Sequence, residues 1–194
     1  MCKRWKALTK ECWRRVKVLD LSYPTCDSSS SRNRKTISRN TIRGVLVQCG
    51  SFLRKINLSL VPYNLPQDIV KIIGRFCPNL EVIDITGVTV SPRDINSLIN
   101  NCHQITKFSV GPTVRSYHYI CDKDLQKLFE GNPNLRYFKA FETSISGKCL
   151  LHLPLETTEI VLERCTHLQL NSLSQVKHSV YFNCLQKNLL LTSN

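Results

Sequence analysis

The sequence predicts an α/β repeat fold in which short parallel strands alternate with helices, and two observations carry that prediction. One is a recurring phrase. Cys77-Pro78-Asn79-Leu80 leads into Glu81-Val82-Ile83-Asp84-Ile85, and Asn132-Pro133-Asn134-Leu135 leads into Arg136-Tyr137-Phe138-Lys139-Ala140. The two Pro-Asn-Leu triplets lie 55 residues apart, and Cys102-His103-Gln104-Ile105 falls between them, its isoleucine 25 residues after the first leucine. The other is the apolar spacing L-x-x-L-x-L that follows each phrase. That spacing and period define a leucine-rich repeat, whose unit pairs one strand with one helix.

The strand template can be followed along the chain. Val16-x-x-Leu19-x-Leu21 is the first match and Leu53-x-x-Ile56-x-Leu58 the second. Leu80-x-x-Ile83-x-Ile85, Ile105-x-x-Phe108-x-Val110 and Leu135-x-x-Phe138-x-Ala140 follow. Thr157-x-x-Ile160-x-Leu162 is a weaker match, and the region of Val180 and Phe182 weaker still. From Leu53 onward the intervals are 27, 25, 30 and 22 residues, a drift that insertions in loops outside the stacked strands produce.

Ahead of most strands runs an amphipathic helical stretch. Ile42, Val45, Leu46 and Cys49 share one face, as do Ile69, Ile72, Ile73 and Phe76. Ile95, Leu98, Ile99 and Cys102 repeat the pattern, followed by Leu125, Leu128 and Phe129. Asp68 and Asp94 stand at helix starts, where a carboxylate suits the exposed N–H groups and the positive end of the dipole. Cys49, Cys77 and Cys102 end successive helices, and Asn132 takes that place in a fourth unit. Cysteine there is a small buried hydrophobe, and a thiol is not required. Cys165 falls at the turn after the Ile160–Leu162 strand.

The expected architecture is therefore a short, right-handed leucine-rich-repeat solenoid of about six units, a horseshoe with parallel strands on the concave face and helices on the convex face. The repeats occupy residues 41–182, preceded by a first strand at 16–22 and a basic, Ser-rich loop at 23–40. Residues 1–15 form an N-terminal cap and 183–194 a C-terminal cap or tail. In this geometry the residues between the strand leucines project from the concave face. They are Val18 and Asp20, Lys55 and Asn57, Val82 and Asp84, Lys107 and Ser109, Tyr137 and Lys139, and Glu159 and Val161. A mixed polar strip with an aromatic anchor suits protein recognition.

Charge is spread unevenly. The 194 residues carry a net charge of +13, and residues 1–43 hold 12 of the 27 basic side chains against only Glu11, Asp20 and Asp27. A basic leading segment is suited to nucleic acid or anionic lipid, although such charge runs are more often a solvated helix and loop. Nucleic acid is not favoured, because no aromatics interleave with the basic residues from Arg32 to Arg43 and the strip is not uniformly positive. Thr36 and Ser38, behind those basic residues, are phosphorylation candidates. Tyr117, His118 and Tyr119, on an insertion from Gly111 to Asp122, are a second candidate contact.

No apolar run reaches the roughly 18–20 residues that span a bilayer. The opening Met1-Cys2-Lys3-Arg4-Trp5-Lys6 lacks the apolar stretch of a secretory signal, so the ten cysteines are expected to stay reduced in the cytoplasm or nucleus. No C-x-x-C, Gly-rich phosphate loop or G-x-S-x-G elbow occurs. His118-x-x-Cys121 and Cys149-x-x-His152 together supply a permissible zinc set, but their separation makes chance the better account. The expectation is a binding protein rather than an enzyme, with no cofactor or metal.

The Cys-ended helices, the Pro-Asn-Leu entry and the strand pattern together resemble the cysteine-containing leucine-rich repeats of F-box proteins. The opening, from Cys2-Lys3-Arg4-Trp5-Lys6-Ala7-Leu8 to Trp13-Arg14-Arg15-Val16-Lys17-Val18-Leu19-Asp20-Leu21, is similar to the last part of an F-box running into its first repeat strand. The resemblance implies a substrate-receptor subunit of an SCF-type cullin ubiquitin ligase, acting in ubiquitin-dependent protein degradation. Its partners would be the Skp adaptor, a cullin and a protein substrate held on the concave face. Trp5, Leu8, Cys12 and Trp13, on one apolar helical face, would be the adaptor side. The family's Leu-Pro start and its first two F-box helices have no counterpart before Met1-Cys2, so the F-box is expected to be truncated. The alternative is a repeat scaffold that holds an acidic partner or nucleic acid through its basic N-terminal segment.

Overall fold

Alternating apolar and polar residues in short runs, each preceded by a helical stretch with one apolar stripe, leave the chain one way to bury its apolar surface. The strands pair side by side and the helices cover one face of the resulting sheet. The computed structural model describes residues 11–22, 36–59, 61, 63–111, 120–173, 176 and 181–185. It holds a seven-stranded parallel sheet in chain order: β1 (Val18–Asp20), β2 (Lys55–Asn57), β3 (Val82–Ile85), β4 (Lys107–Val110), β5 (Tyr137–Phe141), β6 (Glu159–Glu163) and β7 (Tyr181–Leu185). Between them run α1 (Arg39–Cys49), α2 (Ile69–Phe76), α3 (Pro92–Asn101), α4 (Asp122–Glu130) and α5 (Leu170–Leu173). Two 3-10 turns complete the connections, Gly50–Phe52 after α1 and Lys148–His152 between β5 and β6. The chain is thus α/β, as the spacing predicts, and its sheet has no switch in strand order.

The pairing has one register throughout. Lys55 pairs with Val82, Val82 with Lys107, Lys107 with Tyr137, and Tyr137 with Glu159. The carbonyl of the residue just before each strand accepts two N–H groups from the next unit. Lys17 accepts from Arg54 and Lys55, Arg54 from Glu81 and Val82, and Glu81 from Thr106 and Lys107, at 2.8 and 3.0 Å in each case. Thr106 accepts from Arg136 and Tyr137, and Arg136 from Thr158 and Glu159. The backbone past the strands repeats as well. Five residues after Val82, Tyr137 and Glu159 stand Gly87, Glu142 and Arg164, all left-handed, with φ of 83°, 48° and 54°.

One continuous core lies between the sheet and the helices. Ile56, Ile83, Phe108, Phe138 and Ile160 face it from the strands, and Leu46, Ile73, Leu98, Leu125 and Phe129 from the helices. Phe108 and Phe138, adjacent in the register, stack at 6.4 Å, and Phe129 meets Phe138 edge-on at 5.0 Å. The helices approach closely where residues are small. A Cβ on Gly74 would stand 2.6 Å from the backbone of Ser97, so only glycine lets α2 and α3 come together at that point.

Helix starts carry their own signals. Ser91 and Asp94 form a reciprocal capping box at the start of α3, behind Pro92. Asp68 makes no capping hydrogen bond at α2; its carboxylate pairs instead with Arg39 at 2.8 Å. Helix α1 begins at Arg39, inside the segment expected to be loop, because the Ser38 hydroxyl accepts the Thr41 N–H at 3.1 Å and nucleates the first turn. Thr36 forms a parallel bridge with Asn64, so 36–38 is extended and tied down. Residues 23–35 of that expected loop lie outside the described residues, as do Tyr117, His118 and Tyr119.

The helix-end cysteines Cys49, Cys77 and Cys102 are buried, as their periodic placement predicts. Asn132, in the fourth such place, is also fully buried and does more. Its Oδ1 accepts the Ile105 N–H of the preceding unit at 2.9 Å, and its Nδ2 donates to the Leu128 carbonyl at 2.9 Å. Replacing Asn132 with Leu leaves the Ile105 N–H buried without an acceptor and is expected to cost about 1–3 kcal/mol in urea denaturation. A change near zero would mean that the amide is not the link between these units.

Candidate recognition face

Strand residues point alternately to the two faces of the sheet, so every residue between the buried positions faces away from the helices. The shared register gathers these residues into two rows. Val18, Lys55, Val82, Lys107, Tyr137 and Glu159 form the row at the strand starts. Asp20, Asn57, Asp84, Ser109, Lys139 and Val161 form the row two residues further on. With strands about 4.8 Å apart, each row runs about 24 Å across the sheet. The twelve residues picked out by sequence spacing are therefore brought together on one surface.

Their exposure differs. Val18, Lys55, Lys107, Asp20 and Glu159 are exposed, and Asn57, Val82, Asp84, Tyr137 and Lys139 are half-buried. Ser109 and Val161 keep only 8 % and 6 % of their surface, so these two offer a partner almost nothing. They are short side chains that flank Lys139 in its row.

The row at the strand ends is internally bonded. The Ser22 hydroxyl donates to Asp20 at 2.6 Å and the Ser22 N–H at 2.9 Å, holding the Asp20 carboxyl below its usual pKa. Asn57 donates across to Asp20 at 3.2 Å and accepts from the Ser59 N–H and hydroxyl. Asp84 accepts the Thr86 N–H at 3.0 Å. Asp20-Leu21-Ser22, Asn57-Leu58-Ser59 and Asp84-Ile85-Thr86 are thus one turn motif used in three successive units. The recurrence of Asp or Asn two residues before Ser or Thr was a readable sequence signal. Further along, Lys139 pairs with Glu163 at 3.0 Å.

In the other row, the Lys107 ammonium lies 6.0 Å from the centroid of the Tyr137 ring, within cation–π range. Burial pushes the Tyr137 phenol pKa up, so the hydroxyl stays protonated at neutral pH and is available as a donor.

Residues 11–15 are helical. Trp13 packs against the core and Cys12 is exposed, so these two do not share one buried face as the spacing suggested; adjacent helical residues diverge by about 100°. Trp5 and Leu8 lie outside the described residues.

A second concavity, of about 470 Å³, opens between α4, the Lys148–His152 turn and α5, and is lined in part by Asp122, Gln126, Lys148, Cys149 and His152. Burial raises the Asp122 carboxyl, but the N–H groups of Cys149 and Ser146, at 3.0 and 2.8 Å, outweigh it and leave its pKa below the usual value. His152 Nδ1 sits 3.3 Å from Glu130. The acidic group here ties two backbone segments together, which is a structural task. Among the described residues no group of three or more His, Cys, Asp or Glu is placed to hold a metal ion. His118, one of the four residues of the zinc set considered above, lies outside them.

Three of the described thiols are held in the protonated form. Burial pushes Cys102 up to about 12, and drives Cys77 and Cys149 higher still. No helix among the described residues is long and apolar enough to cross a membrane. No family model matches the chain.

Two outcomes are expected from this geometry. Alkylation of the folded chain, mapped by mass spectrometry, should modify Cys12 well before Cys49, Cys77, Cys102, Cys149 and Cys165; early reaction at Cys77 would contradict the burial. The depressed Asp122 pKa contributes stability above its ordinary value of 3.8 that disappears as pH falls through the folded value. The stability gap between the natural chain and Asp122→Asn should therefore shrink in acid, and a gap that widens would overturn the assignment.

Proposed function

We propose that the chain is a leucine-rich-repeat solenoid of about six units that recognises a protein on the sheet face that no described helix covers, the unit count following from the period. One observation carries this reading. All-parallel sheets ordinarily have helices on both faces. Here the helices cover one face, and the other presents two registered rows with exposed charges and a half-buried tyrosine. A surface of this composition suits a protein partner: Tyr137 supplies an aromatic anchor and the surrounding charges supply orientation. The repeated two-donor hydrogen bond and the left-handed residue at matching positions support the repeat architecture.

In its most specific form the proposal follows the resemblance to F-box proteins. The chain is then a substrate receptor of a cullin-based ubiquitin ligase, working in ubiquitin-dependent degradation in the cytoplasm or nucleus. It positions a substrate while other subunits carry out ubiquitin transfer, so it is not itself an enzyme. The helix containing Trp13 meets the Skp adaptor, and the sheet face meets the substrate.

Co-expression of the 194-residue chain with the Skp adaptor and a cullin tests this directly. The adaptor is expected to co-purify at physiological salt, and Tyr137→Ala should leave its retention unchanged because that residue lies on the substrate side. A folded chain that retains no adaptor would remove the ligase role and leave a recognition module.

A further inference from the structure

We propose that the strand-start half of the sheet face docks an acidic protein segment, an inference that rests on the face being the recognition surface. Charge on this face is uneven: at the strand starts Lys55 and Lys107 on β2 and β4 outnumber the exposed carboxylate Glu159 on β6, and two residues further on the balance is negative. At the strand starts, Lys55 and Lys107 are exposed and neither has a carboxylate within ion-pair distance among the described residues. Arg136, just before β5, is exposed as well. The nearby carboxylate Glu81 is already taken by Arg54 at 2.9 Å. Two residues along, the balance reverses. Asp20 and Asp84 are the charges left over, because Lys139 is neutralised by Glu163 at 3.0 Å. Among the described residues of this face, a partner therefore meets available cations near the starts of β2 and β4.

Apolar surface lies between those cations. Val82 separates Lys55 from Lys107 in the register, and Tyr137 follows Lys107. Lys55 and Lys107 stand two strands apart, about 10 Å. An extended segment of polyproline-II type with a carboxylate at every third residue spaces its charges by about 9 Å on one side. Such a segment, laid across the strands, sets carboxylates against both lysines and an apolar residue against Val82 or Tyr137. Nucleic acid fits this surface less well, because Val82 separates the two lysines and they do not form the continuous positive tract that follows a phosphate backbone.

The test is fluorescence anisotropy of a fluorescein-labelled (Glu-Pro-Leu)4 peptide with the full chain at physiological ionic strength. Reversing both lysines, Lys55→Glu with Lys107→Glu, should weaken binding about tenfold or more, since opposed charges become like charges across the contact. Reversing Arg34 and Lys35 in the basic N-terminal segment should change it by less than about threefold, as expected of charges outside the contact. Circular dichroism of each variant establishes that it folds, which surface lysines make straightforward. Equal loss in both pairs, or loss only with Arg34 and Lys35, would overturn the proposal and move the acidic contact to the N-terminal segment. Tighter binding of a dT12 oligonucleotide with the same lysine dependence would overturn it in favour of nucleic acid. Tyr137→Ala separates the two levels of inference. If it weakens the peptide while the lysine reversals do not, the recognition face stands and the acidic partner falls. If neither matters, the face itself is not the binding surface.

Discussion

The carbonyl that precedes each strand and accepts two N–H groups from the next unit is the contact on which the rest of the molecule depends. It is made by Lys17, Arg54, Glu81, Thr106 and Arg136 in turn, with nearly the same lengths each time. Because side chains alternate along a strand, a slip of one residue in any pairing would turn apolar residues out and charged residues in. The repeated bond prevents that slip. It lines Ile56, Ile83, Phe108, Phe138 and Ile160 up on the helix side, and lines the charged and aromatic residues up on the other.

The two sides of the sheet then do different jobs with the same backbone. On the helix side, stability comes from close packing between units that bury little apolar surface alone. Small groups at the unit boundaries make this possible: a cysteine at the end of α1, α2 and α3, Asn132 in the fourth unit, and Gly74 where α2 meets α3. Asn132 shows why the position tolerates two chemistries. Cys102 donates only to the Cys77 carbonyl, at 3.3 Å, whereas the amide satisfies a donor and an acceptor in different units. On the other side no described helix covers the strands, and the residues there are held by one another. Asp20, Asn57 and Ser22 form one bonded group, and Lys139 and Glu163 another.

Strand positions and helix faces were readable from the sequence because both follow from apolar periodicity, and Phe108, Phe138 and Leu128 stand where that periodicity puts them. The rows of the face followed as well, since they depend only on alternation and a shared register. Side-chain exposure within the rows did not: periodicity assigns a residue to a face without setting its exposure there, as the burial of Ser109 and Val161 shows. The start of α1 at Arg39 was signalled by Ser38, a good N-cap, but the basic, polar character of the segment masked it. The tie from Asp122 to Ser146 and Cys149 spans two units, and no local pattern announces it. Glu142 and Arg164 take left-handed backbone without being glycine. Their 2.8 Å ion pair sits where the strands end, a feature that appears only once the units are stacked.

The measurement that bears most directly on this account is residue-resolved amide hydrogen exchange in the native state. The amides of Glu81, Val82, Thr106, Lys107, Arg136 and Tyr137 donate to the repeated carbonyls and lie in the interior of the sheet. They are predicted to be among the slowest in the chain and to open together. Rapid exchange at these amides while α2, α3 and α4 stay protected would contradict it, because the helices would then be folded without the sheet that gathers the two rows onto one face.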